Sequence, residues 1–151
     1  MASSSLKVSG DAMNRIRALL AKSGKSASLS VGVLEGATRY PDGQSVAMVA
    51  ATNEFGNPAN NQPPRPFFRQ TINQKSDSWA DTFGKAMDFT QGDVRQALEL
   101  LGQRIVGDIQ QTIDDFRDPP NADSTIKKKG FDKPLIDTGH MRNMIQYRVD
   151  E

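Results

Sequence analysis

Between residues 56 and 66 this chain cannot continue a helix. Gly56, Pro58, Pro63, Pro64 and Pro66 all fall in that interval, and a proline inside a helix costs about 3 kcal/mol because it lacks the N–H and its ring meets the preceding turn. Before the break, Val46, Val49, Ala50 and Phe55 recur at roughly helical spacing, which predicts a helix with these residues on one face. Ser45 is its expected N-cap. Gly56 can take the left-handed backbone that closes it, and Pro58 prevents its return. Pro64 and Pro66 hold Pro63 and Arg65 extended, and Pro66 suits the first turn of a new helix that opens with Phe67 and Phe68. The stretch 46–69 is therefore expected to be a joint of fixed shape, with Glu54 just before the bend and Arg65 and Arg69 just after it. Either a charge-assisted pair spans the bend, or all three groups are solvated, exposed pairs being worth only ~0–1 kcal/mol.

The other elements follow from periodicity. Residues 1–10 are serine-rich and poor in apolar residues, and read as a disordered arm; 11–151 reads as a single domain. Ala12, Ile16, Leu19 and Leu20 form the stripe of a short helix. Leu29, Val31 and Val33 alternate with Ser30 and Gly32, which predicts a strand over about 29–35 with one firmly buried face. Tyr40-Pro41-Asp42-Gly43 is a turn. From about 66 to 87, Phe68, Ile72, Trp79, Phe83 and Met87 recur at spacings of four and seven, as on a long amphipathic helix. Trp79, Phe67 and Phe68 serve either core packing or an interface anchor. Thr90 is the expected cap of the next helix, over about 91–116, where Val94, Leu98, Leu101, Ile105, Ile109, Ile113 and Phe116 repeat every three or four residues. Gly102 and Gly107 inside it each cost ~1 kcal/mol relative to alanine; they either admit a close neighbour or are simply tolerated.

Residues 117–134 hold three prolines and no sustained apolar period, and predict a long loop that contacts a neighbour or is disordered. Asp137 or Thr138 can cap a short helix with Met141 and Met144 inward. Ile145, Tyr147 and Val149 then alternate with polar residues, giving a strand over about 143–149 that pairs with 29–35. The fold class is α+β: a small antiparallel sheet packed against two long helices.

Composition excludes several chemistries. The chain has 151 residues and no cysteine, so disulfides and thiolate metal sites are ruled out. Its net charge of +1 does not suit a nucleic-acid binder relying on bulk electrostatics. There is no signal-type apolar run and no stretch near ~20 apolar residues, so the expectation is an unexported, soluble protein with no membrane partner. Gly24-Lys25-Ser26 is not a phosphate loop, since Leu19 stands where its first glycine should be. Asp137-Thr138-Gly139 matches the aspartic-protease tripeptide, but only twelve residues follow it, too few for the strands and flap around such a site. His140, the only histidine, lacks ligand or nucleophile partners at readable spacing and is expected against the cap or at the surface. Asp114, Asp115 and Asp118 read as a solvated helix end, without EF-hand spacing. Lys127-Lys128-Lys129 reads as a solvated charge run or as a weak DNA contact. No catalytic constellation, cofactor site or metal site is expected.

The order of VGVLEGATRYPDGQSVAMVAATNEFG, PPRPFFR, GQRIVGDIQQTI, RDPPNADSTIKKKG and PLIDTGHMRNMIQYRV resembles the neck and tail-component proteins of long-tailed bacteriophages, over about residues 30–150. The resemblance implies a non-enzymatic α+β virion protein at the head–tail junction, present in the host cytoplasm during assembly. It would form a ring, six subunits first and twelve second, that completes the tail and joins it to the DNA-filled head. Its implied partners are itself, head-closure or connector proteins, and tail terminator or tail tube proteins, with genomic DNA passing through the channel. The positions carried over are structural and interfacial: Glu54, Phe55, Gly56, Arg65, Pro66, Phe67, Arg69, Asp137, Thr138 and Gly139. The alternative is a DNA-binding accessory protein using Lys127, Lys128 and Lys129.

Overall fold

The computed structural model describes Asn14, Arg17, Ala18, Ala21, residues 27–34, Gly36, 39–136 and 139–151. The expected N-terminal arm, most of the expected first helix and the Gly-Lys-Ser tripeptide lie outside these residues, as do Asp137 and Thr138. The described elements are, in order, β1 (Ser28–Val33), α1 (Val46–Phe55), a 3-10 turn (Pro58–Asn60), α2 (Phe67–Phe89), α3 (Val94–Asp115), α4 (Asp123–Lys129), α5 (His140–Asn143) and β2 (Ile145–Asp150). The class is α+β, as the periodicities predict.

The two long helices form an antiparallel hairpin, with α3 lying between α2 and the sheet. Residues 90–93 make the turn. Thr90 ends α2 instead of capping α3: its hydroxyl donates to the Ala86 carbonyl at 2.8 Å. Asp93 is the cap of α3, accepting from the Gln96 amide at 3.0 Å. Gln91 and Gly92 both have positive φ, so the reversal is complete only at Asp93, and the cap falls there. The apolar stripe of α3 is buried from Val94 to Ile113, against Trp79, Ala80, Phe83 and Met87 of α2. Two polar contacts fix how the helices register. The Trp79 indole Nε1 donates to Asp108 Oδ2 at 2.7 Å, and the buried Thr71 hydroxyl donates to Thr112 Oγ1 at 2.7 Å. Thr71→Val should cost about 1 kcal/mol, the net worth of one buried neutral hydrogen bond, measured by chemical denaturation.

The opposite side of α3 carries the sheet. β1 and β2 pair antiparallel from Ser28 opposite Asp150 to Val33 opposite Ile145, close to the expected spans; β2 starts at Ile145 because 140–143 form a helical turn. Leu29, Val31 and Val33 share one face with Val149, Tyr147 and Ile145. These β1 residues are half-buried and not firmly buried as expected, because a lone pair of strands leaves an outer strand open along one side. Gly102 of α3 lies directly beneath them: a Cβ there would stand 2.6 Å from Tyr147 Cγ and 3.0 Å from Leu29 Cδ1. Gly107 faces nothing within 4 Å among the described residues. The two readings offered for these glycines thus apply one to each.

The 117–134 segment is not a continuous loop, since it contains α4. The signal lay in its ends: Asp123 in the first turn, three lysines in the last, and Gly130 as a left-handed C-cap whose amide donates to the Ile126 carbonyl at 2.8 Å. With no buried residue, α4 shows no apolar period to read.

Candidate assembly interface

The joint predicted at 46–69 is held from within by Glu54. Helix α1 buries Val46, Ala50 and Glu54 at a spacing of four, and Phe55, expected on that face, is 59% exposed. The reason lies at the start of α2, where Pro66 occupies the cap position and its side chain accepts no hydrogen bond. The first amides of a helix have no partner within the helix. Here Phe67 N–H donates to the Arg65 carbonyl at 2.8 Å, and Gln70 N–H to the Pro66 carbonyl at 2.9 Å. The two amides between them donate to the Glu54 carboxylate, Phe68 to Oε2 at 2.9 Å and Arg69 to Oε1 at 3.2 Å. Glu54 therefore caps a helix from outside it, where a negative charge also meets the positive end of the helix dipole. Arg69 closes the arrangement, with Nε donating to Glu54 Oε1 at 2.9 Å and Nη2 to the Glu54 carbonyl at 3.0 Å.

Arg65 does not join this pair. It is 7% exposed, and its guanidinium donates to the carbonyls of Pro119 at 3.0 Å and Pro120 at 2.8 Å. Burial pushes its pKa below the ordinary arginine range, opposed by the nearby charge of Asp132. The two arginines thus do different work: Arg69 locks the bend, while Arg65 ties it to the segment after α3.

Gly56 closes α1 with φ 77, its amide donating to the Thr52 carbonyl at 2.8 Å. Any side chain there would meet the Gln62 carbonyl oxygen and the Pro64 nitrogen at 2.8 Å, so glycine is required by space as well as by φ. Between them, Asn57 and Gln62 exchange backbone hydrogen bonds at 2.8 and 3.0 Å around the 3-10 turn. Asn53 completes the joint: its carbonyl accepts from the Arg65 amide at 2.6 Å and its Oδ1 from Gln62 Nε2 at 3.2 Å. Sequence reasoning passed over the pairing of Asn53 with Gln62, because both are ordinary polar residues until the chain folds back at the prolines.

Phe67 is fully buried in the core and its ring lies 5.4 Å from that of half-buried Phe68. Phe55 projects outward with the Arg69 guanidinium 5.3 Å from its ring centroid, and Met48, about two turns earlier on the same face of α1, is 67% exposed. A groove of about 430 Å³ runs between α1, the first turns of α2 and β1, lined by Ala47, Ala51, Phe55, Phe68, Ile72 and Val31 among others.

The second expected cluster is elsewhere. Gly139 (φ 80) precedes α5. His140 packs edge-on against Tyr40, ring centroids 4.7 Å apart, beside a cavity of about 100 Å³ that Asn53, Lys129 and Met141 also line. Small-molecule sites are usually ~300–1,000 Å³. Asp114 is not part of a solvated end as expected: Arg142 donates to both its oxygens, at 2.7 and 2.9 Å, and this hydrogen bonding raises the Arg142 pKa. In the lysine run, Lys127 and Lys128 are exposed, while Lys129 Nζ donates to the Lys133 carbonyl at 2.8 Å and sits 5.1 Å from the Phe131 ring centroid. Among the described residues no cluster of His, Asp or Glu could hold a metal ion, and no helix is long and apolar enough to cross a membrane.

The chain matches no protein-family model, no curated protein and no solved structure in the comparisons made.

Proposed function

We propose that this chain is a structural, non-enzymatic subunit of the head–tail junction of a long-tailed bacteriophage, forming a ring that completes the tail and joins it to the DNA-filled head. The observation that carries this reading is the Glu54-capped joint. A buried carboxylate, two arginines and four prolines set the angle between α1 and α2, and beside it stand an exposed Phe55 and an open groove. Glu54, Phe55, Arg65 and Arg69 belong to two of the five segments on which the resemblance to neck and tail-component proteins rests, and they hold shape instead of presenting reactive groups. A subunit of net charge +1 also suits a conduit through which DNA slides, because a dense positive lining would hold phosphates in place. Six copies are the first expectation and twelve the second; a heterologous contact closes only when the rotation per subunit divides a full turn.

An amber mutant in this gene should accumulate filled heads and separate tails in electron micrographs. Normal joining without the protein would refute the reading. The DNA-binding alternative rests on exposed Lys127 and Lys128 in the last turn of α4; it requires salt-dependent binding of short duplexes by the isolated protein near physiological ionic strength.

A further inference from the structure

The two edges of the sheet differ in what lies against them. The far end of β1 is covered: Gly32 is buried, a Cβ there would stand 3.2 Å from the Phe68 ring, and α1 packs beside the strand. Along the outer edge of β2 nothing among the described residues takes up the backbone. In an antiparallel ladder every second residue turns its N–H and C=O away from the partner strand. Those of β2 find no backbone partner beyond β1 among the described residues. Proteins usually close such an edge with lysine, proline or a bulge. β2 reads Ile-Gln-Tyr-Arg-Val-Asp in unbroken register, and its one cation, Arg148, donates to Asp150 of the same strand at 3.0 Å.

A groove of about 520 Å³ runs beside this edge, with Ile145, Gln146 and Tyr147 as its wall and Gln103 and Val106 of α3 as its floor. Consecutive strand residues point to opposite faces, so a wall of three in succession is the backbone edge itself. Gln103, Val106, Gly107 and Gln110 stand at helical spacing and share one face of α3. Gln103 reaches the Tyr147 hydroxyl at 3.5 Å, and Gln110 donates to the Arg142 carbonyl, just before β2, at 3.2 Å. This face of α3 therefore follows the edge. Gly107 is the residue on it that internal packing leaves unexplained. It is exposed on a helix, where glycine costs about 1 kcal/mol relative to alanine, and a Cβ there would meet nothing within 4 Å among the described residues. Five residues earlier, Gly102 makes the space into which Tyr147 settles. Gly107 leaves a similar space on the face beyond β2, with no strand over it.

We infer that the outer edge of β2 is a docking site for an extended segment of a partner protein, which adds a third strand to the sheet and sets a large apolar side chain over Val106 and Gly107. The edge dictates the extended form, because another strand is what matches alternating N–H and C=O groups. The charges dictate the composition. Arg142 is held by Asp114 and Arg148 by Asp150, and the wall and floor of the groove carry no charge. The segment that fits thus alternates apolar with uncharged polar residues. The site is independent of the ring reading, and pairing between two copies of this chain is one of the results that would count against it.

Acetylated and amidated heptapeptides Thr-Val-Thr-X-Thr-Val-Thr, with X leucine, phenylalanine or tyrosine, are titrated into the isotopically labelled full chain, and amide exchange is followed by nuclear magnetic resonance. At least one peptide should slow exchange about tenfold or more at alternate amides of Ile145–Asp150, with β1 unchanged. A version with every backbone nitrogen methylated keeps the side chains but cannot pair, and should give no protection. Gly107→Trp fills the floor at an exposed position and should weaken peptide binding about tenfold or more, leaving the β1–β2 ladder as protected as before. The methylated peptide decides the matter independently of that variant's folding. No protection of β2 by any of the three peptides, equal protection by the methylated one, or unchanged binding to a folded Gly107→Trp chain would each overturn the site. Protection of β2 that rises with chain concentration in the absence of peptide would give the edge to a second copy and overturn a foreign partner.

Discussion

Glu54→Ala should lower stability by about 2–4 kcal/mol, because two amides at the start of α2 lose their acceptor in a buried setting and each such group costs roughly 1–3 kcal/mol. For a chain of this size that corresponds to a fall in Tm of roughly 5–15 °C, read by calorimetry or circular dichroism. The loss comes from the cap more than from the ion pair, since Arg69 is half exposed and its charge is largely screened. Two companion variants separate these contributions. Glu54→Gln keeps a side-chain acceptor and should retain more than half of the lost stability. Arg69→Met, which leaves the amide contacts to Glu54 in place, should cost less than Glu54→Ala. A Glu54→Ala protein as stable as the parent would mean that water caps α2 equally well, and the joint would then not be rigid for the reason given.

Gly102 and Gly107 should respond to alanine with opposite signs. On helix propensity alone each substitution gains about 1 kcal/mol. At Gly107 the space beside the position is open among the described residues, so the gain should appear. At Gly102 the new methyl group meets Tyr147 Cγ and Cδ2 at 2.6 Å. These ring atoms lie close to the backbone of β2 and have little freedom to swing aside, so the strand must move. Overpacking of this kind costs about 1–3 kcal/mol, and it also disturbs Leu29 of the paired strand, so a net loss of up to about 2 kcal/mol is expected after the propensity gain. Denaturant midpoints of the two variants measured side by side decide the matter. Equal stabilisation at both positions would show that the sheet is not seated on α3 as described.

The elements that were legible in the sequence are those buried on one side only. The stripe from Val94 to Ile113 and the alternation of Ile145, Tyr147 and Val149 announce a helix and a strand because water on one face and core on the other select residues at the period of the backbone. The breaks at Gly56 and Pro58 were equally plain, since they follow from local sterics. Phe55 was misplaced because periodicity assigns the apolar residue to the core. Here a glutamate takes the inward position, for the sake of amides that belong to a different helix. Thr90 and Asp93 are both competent caps, and only the positive φ values at Gln91 and Gly92 select the second. Helix α4 was missed for want of an apolar stripe, although its charges and terminal glycine marked its ends.

Within the candidate interface, the residues were recognised but not their pairing. Glu54, Arg65 and Arg69 were all in view, yet which arginine meets the carboxylate depends on the direction the chain takes after Pro66, and on carbonyls at Pro119 and Pro120 more than fifty positions away. The sequence by itself determined where helices and strands form, and where the backbone must bend, because propensity, period and proline geometry act between near neighbours. Tertiary structure alone decided that Glu54 caps α2, that Gly102 seats a tyrosine, and that Arg65 reaches the carbonyls of Pro119 and Pro120, because these outcomes depend on distances between segments that no local rule encodes.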